Sequence, residues 1–84
     1  MYSVLLASAA QREFRKLPRE HVERVTDSLA SLAEDPRTNA EKLQGEDAFR
    51  IRVGRYRVVF RVDDHAREVL VVRIAHRREV YRRR

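Results

Sequence analysis

The sequence predicts an α+β fold: an N-terminal strand, a helical hairpin and a three-stranded antiparallel meander, with the helices on one face of a four-stranded sheet. Three observations carry this prediction. Apolar residues recur at helical spacing up to about residue 34 and switch to strict alternation from Phe49 onward. Pro18, Pro36 and the Gly54-Arg55 pair stand where elements should start or stop. A chain of 84 residues that is 43% hydrophobic can build one modest core, so residues 1–84 read as one domain.

The segment "YSVLLA", residues 2–7, reads as the first strand. "SAAQ" follows with the form of a capping box, Ser8 with Gln11 three positions on. A helix over about residues 9–17 places Ala10, Phe14 and Leu17 on one stripe. Pro18 suits the first turn of a second helix, where its missing N–H costs nothing. Val22, Val25, Leu29 and Leu32 form that helix's apolar face, with Glu20, Glu23, Arg24 and Asp27 turned to water. Asp35, before Pro36, is pushed out of the helical region and ends it. Residues 36–48 are polar and read as a connecting loop, with Leu43 as its anchor.

The period then becomes two. Phe49, Ile51 and Val53 oppose Arg50 and Arg52; Tyr56, Val58, Phe60 and Val62 oppose Arg57, Val59 and Arg61. Gly54-Arg55, with glycine first, fits a type II′ hairpin. "DDHAR" makes a second turn, in which Asp63 and Asp64 are turn residues rather than metal ligands. In the last strand Leu70, Val72 and Ile74 are expected inward, and Val71, Arg73 and Ala75 outward. The helical hairpin has nothing else to bury against, so it must cover one sheet face. The other face then displays Arg50, Arg52, Arg57, Arg61 and Arg73.

Charge follows the same division. Residues 1–45 hold seven Lys or Arg and seven Asp or Glu; residues 46–84 hold twelve Arg and six Asp or Glu, so the whole formal +6 lies in the second half. Arginine presents a planar fork of donors suited to phosphate, and a localised basic field is the footprint of a polyanion. Charge alone leaves a solubilising surface equally open. The chain has two glycines and no cysteine, so it holds no glycine-rich phosphate loop, disulfide framework or thiolate metal site. The scattered His21, His65 and His76 form no zinc pattern, and no serine has a base and an orienting acid in view. The short apolar start lacks a basic leader, and no stretch has transmembrane length.

The C-terminal "VLVVRIAHRREVYRRR" places His76, Arg77, Arg78 and Tyr81 together at a strand end. Read singly, His76 is a surface histidine and Tyr81 an apolar lid. Read with the arginine face, they could handle a phosphate. Histidine moves protons near neutral pH, arginine stabilises charge on a phosphate oxygen, and tyrosine orients a group or stacks on a base.

Over nearly its whole length the chain resembles the RelE/ParE superfamily of type II toxins, and the RelE-type branch in particular. The resemblance rests on "KLQGEDAFRIRVGRYRVVFRVDD" followed by "VLVVRIAHRREVYRR", with "REFRKLP" and "SLASLAEDPR" in the helical hairpin. It implies a cytoplasmic, ribosome-dependent endoribonuclease that cleaves messenger RNA in the A site through the RNA's own 2′-hydroxyl. It implies no cofactor, metal or membrane partner, and a RelB-like antitoxin bound in a hetero-oligomer. By position, the family's basic pair falls on Arg50 and Arg52, its next-strand arginine on Arg57, its arginine after the last strand on Arg77 and its near-terminal tyrosine on Tyr81. In the best-studied members the pair is lysine, one of them a proposed general base. Arginine, with a pKa above about 12, is a poor base near neutral pH. Some relatives use a nearby histidine, so the resemblance makes His76 the expected proton-transfer group. Arg57, Arg77 and Tyr81 complete the expected catalytic set; Arg50, Arg52, Arg61, Arg73 and Arg78 are expected to bind RNA. Two alternatives stay open: a ParE-like inhibitor of DNA gyrase, and a weakly active relative that works through its antitoxin complex.

Overall fold

The computed structural model describes residues 1–45 and 47–76. In chain order its elements are β1 (Ser3–Leu6), α1 (Ser8–Arg15), α2 (Arg19–Glu34), β2 (Glu41–Lys42), β3 (Phe49–Val53), β4 (Tyr56–Asp63) and β5 (Glu68–His76). The strands form one sheet in the order β1-β5-β4-β3-β2. The expected α+β arrangement is present, with five strands in place of four and a mixed sheet in place of an antiparallel one. β1 runs parallel to β5, because the helical hairpin between them in the chain acts as a crossover. β2 lies inside the segment expected to be a loop, where Glu41 and Lys42 pair with Arg50 and Phe49. Leu43 is not that segment's apolar anchor. Among its described residues Pro36 and Ala48 are buried, and Leu43 contributes a backbone N–H donated to the Ala48 carbonyl at 2.9 Å.

The helices form where the apolar spacing places them, with shifted starts. The Ala7 N–H completes the last rung to β5 by donating to the Val71 carbonyl at 2.8 Å. The chain therefore turns from strand to helix at residue 7, and Ala7 rather than Ser8 is the N-cap. The expected capping box does not form; the Gln11 side-chain amide instead donates to the Leu6 carbonyl at 3.0 Å. Pro18 caps α2 from outside, and Asp35 ends it in extended conformation (φ −152°) before Pro36. Ala10, Leu17, Val25 and Leu32 are buried against Val58, Phe60, Val69, Val71 and Ile74, with Phe14, Val22 and Leu29 packed around them. Gly54 has φ +60° while Arg55 stays out of the left-handed region, as a II′ turn requires.

The inward set of β5 differs from expectation. Val69 and Val71 face the helices, Val72 is an extra residue in a bulge, and Ile74 then faces the helices again. Leu70 is on the open side, 38% exposed. The expected alternation of Leu70, Val72 and Ile74 fails because the bulge resets the parity between Val71 and Arg73. Among the described residues no helix is long and apolar enough to cross a membrane.

Candidate functional site

The meander places its arginines on the sheet face away from the helices. Arg52 on β3 stands directly opposite Arg57 on β4, and Arg57 is next to Ala75 on β5. Arg57 is buried, at 3% exposure, whereas Arg52 is exposed. Directly opposed like charges destabilise a strand pair, and an anion between them removes that cost. Arg50 lies on the same face at the margin, where its Nε donates to Glu41 Oε1 at 3.1 Å. Arg61 is exposed at the other end of β4. Beside it the face turns apolar: Leu70 pairs with Arg61 on one side and Leu5 on the other, and Leu5 is 47% exposed. The open face is thus cationic at one end and apolar at the other.

Two of the expected site residues lie elsewhere. Arg73 is drawn to the sheet edge, where its Nε donates to Glu13 Oε2 at 2.7 Å. His76 is in register with Tyr56, whose side chain points to the helices, while the adjacent Arg57 points away. The His76 and Tyr56 rings meet edge-on at 5.5 Å, and Tyr56 meets His21 of α2 at 5.0 Å. His76 also lines an open cleft of about 590 Å³ with Glu13, Lys16, Tyr56 and Arg73. The sheet therefore brings Arg50, Arg52 and Arg57 together and turns His76 to the other side. Arg77, Arg78 and Tyr81 lie outside the described residues.

Sequence reasoning missed the acidic partners Glu13 and Glu41. A signal for Glu13 was available: it sits three residues after Ala10 and four before Leu17, at the edge of the apolar stripe. A second polar cluster ties three segments at another corner. Arg37 donates to Asp64 through Nη1 at 3.0 Å and Nη2 at 2.8 Å, and the Tyr2 hydroxyl donates to Asp64 Oδ1 at 2.6 Å. The Arg37 hydrogen bonds, then that of Tyr2, hold the Asp64 carboxyl below its ordinary value. Bonds from the Thr38 hydroxyl and then the Arg37 N–H do the same for Asp35.

The family model described as "ParE toxin of type II toxin-antitoxin system, parDE" matches residues 4–81. The chain belongs to this toxin family. Within the wider RelE/ParE superfamily, it is similar to the toxin RelG of Mycobacterium tuberculosis, at 33% identity over 98% of each chain. Two solved structures share the architecture. The isolated RelE toxin of E. coli matches with a TM-score of 0.82 and 32% identity over 96% of this chain and 92% of that one. The toxin–antitoxin complex RelBE2 of M. tuberculosis matches with a TM-score of 0.82 and 29% identity over 89% and 96%. This ParE-family chain is a RelE/ParE-type toxin of a type II toxin–antitoxin system.

Proposed function

We propose that this toxin is a ribosome-dependent endoribonuclease that cleaves messenger RNA in the A site. The observation that carries the reading is the direct opposition of Arg52 and Arg57 on the sheet face away from the helices, which Arg50 extends. In the reaction, an RNA 2′-oxygen attacks the adjacent phosphorus and the bond to the 5′-oxygen breaks. The 2′-hydroxyl proton leaves to a base, and the departing 5′-oxygen takes up a proton. The products are a 2′,3′-cyclic phosphate and a 5′-hydroxyl. Arg57, with Arg77, stabilises charge on the non-bridging oxygens, and Tyr81 orients the nucleotide. Arg50, Arg52, Arg61 and Arg78 hold the RNA backbone; Arg73, already bonded to Glu13, serves the fold. The arginines cannot act as the base near neutral pH. His76 is the titratable side chain at the end of β5, but it reaches a phosphate held by Arg52 and Arg57 only from the opposite face.

A RelB-like antitoxin is the proposed partner in a hetero-oligomer, with the ribosome and messenger RNA as targets in the cytoplasm. Two features support the antitoxin. The chain is similar to a toxin solved as the RelBE2 complex. The open face also offers Leu5 and Leu70 to an apolar segment and its arginines to an acidic one. The name of the matched family favours a second reading, inhibition of DNA gyrase.

Purified toxin added to ribosomes with a defined A-site codon, with RNA ends mapped by primer extension, tests both. Cleavage only on the ribosome, abolished in Arg57→Ala and Arg77→Ala, is expected. His76→Ala decides the proton-transfer role: wild-type cleavage would remove it. No cleavage with any codon, together with inhibition of supercoiling, would replace the nuclease reading with the gyrase one.

A further inference from the structure

β5 outruns its parallel neighbour. The last β1–β5 pair is Leu6 with Val71, yet β5 continues to His76. Among the described residues that edge of the strand has no partner strand beyond Val71, and the bulge at Val72 lies just where support ends. One side chain fills the gap. Glu13 Oε1 accepts the Ile74 backbone N–H at 2.6 Å, and Glu13 Oε2 accepts the Arg73 Nε–H at 2.7 Å. Both oxygens of one carboxylate are thus spent on consecutive residues of β5.

Helix stability does not explain this glutamate. It lies in the second half of an eight-residue helix, where the dipole disfavours a negative charge. Its side chain is 24% exposed and that of Arg73 34%, so the pair is half sheltered. Hydrogen bonds to an ionised acceptor are the stronger kind, and an edge N–H needs a partner.

We propose that Glu13 is a positioning residue that replaces the rung β1 does not supply, locks the Val72 bulge, and so fixes the parity of β5 as far as its end at His76, the residue that precedes Arg77 in the chain. A one-residue slip in a strand exchanges its faces. Without the bulge, Ile74 and His76 would turn to the arginine face and Ala75 to the helices. Glu13 itself touches no RNA; it acts through the strand end, and its catalytic consequence rests on the nuclease reading above.

The test compares Glu13→Ala and Glu13→Gln with the wild-type full chain. The first readout is hydrogen exchange of the Ile74 amide, with the Phe60 amide as internal reference. The second is kcat and KM for ribosome-dependent cleavage. Glu13→Ala should speed Ile74 exchange by about tenfold or more, as loss of a charge-assisted bond implies, and leave Phe60 unchanged. It should lower kcat while KM stays within about twofold, since the lost positioning acts in the transition state. Glu13→Gln keeps an oxygen for the Ile74 N–H and should restore most of both. Unchanged Ile74 exchange in Glu13→Ala would overturn the clamp. Faster exchange with unchanged kcat, or a kcat loss that Gln does not rescue, would overturn the positioning role. A wild type that cleaves nothing would remove the nuclease reading, and Ile74 exchange would still decide the clamp.

Discussion

Replacing Arg52 by glutamine should make the free toxin more stable and its RNA binding weaker. Arg52 and Arg57 are directly opposed, and Arg52 makes no ion pair among the described residues. Cβ atoms of such a pair stand about 5 Å apart. For two unit charges about 7 Å apart at an effective dielectric near 40, the repulsion is about 1.2 kcal/mol. Screening over a Debye length of about 8 Å at physiological salt leaves about 0.5 kcal/mol, and at about 0.01 M salt about 1 kcal/mol survives. An unfolding entropy of about 2.1 cal/mol/K per residue gives about 180 cal/mol/K for 84 residues. The Tm of Arg52→Gln should therefore rise by about 3 °C at physiological salt and about 6 °C at low salt. At 1 M salt, with a Debye length of about 3 Å, the gain should all but vanish. Circular-dichroism melts at the three salt concentrations give the stability series. In parallel, the slope of log affinity for single-stranded RNA against log salt should shrink by about 0.7, one phosphate contact. A lower Tm at low salt, or a gain that persists at 1 M, would refute the argument. The two guanidiniums would then not be opposed charges, and the arginine face would lose its physical reason to seek an anion.

Two further outcomes follow from the core and the acid clusters. Phe60 is fully buried and stacks on Phe49 at a centroid distance of 5.8 Å, so Phe60→Ala should cost about 3–5 kcal/mol in chemical denaturation. That is a large share of the roughly 4–13 kcal/mol a chain of this size commands, and a loss under about 1 kcal/mol would contradict its place in the core. Asp64 and Asp35 have carboxyls held below the ordinary 3.8, so their stabilisation is present above that value and lost as pH falls through the lower folded values. The urea midpoint should drop on acidification below about pH 4, with a smaller drop in Asp64→Asn. An identical acid dependence in that variant would show that the Arg37–Asp64–Tyr2 cluster contributes nothing.

What the sequence disclosed depended on whether a segment had two distinguishable faces. The helical stripe from Ala10 to Leu32 and the strands Phe49–Val53 and Tyr56–Asp63 alternate apolar residues with charge, so their inward sets were legible and all pack in the core. The Gly54-Arg55 turn was legible because only one residue type favours its geometry. The two-residue strand at Glu41–Lys42 left no trace, since so short an edge pairing has no period to read. The parallel pairing of β1 was likewise absent from local pattern, being set by where the hairpin returns the chain.

β5 marks the limit most clearly. Val69, Leu70, Val71 and Val72 are apolar on both parities, so alternation cannot say which set is buried, and the bulge makes both answers locally true. The choice is made from outside the strand. β4 fixes one side through its register, and on the other side β1 stops at Leu6 and Glu13 takes over at Ile74. That choice turns His76 toward Tyr56 and leaves Arg57 on the arginine face. The separation of His76 from Arg52 and Arg57 is therefore a property of strand pairing and of the bulge at Val72. Residue composition alone would have placed them in one site.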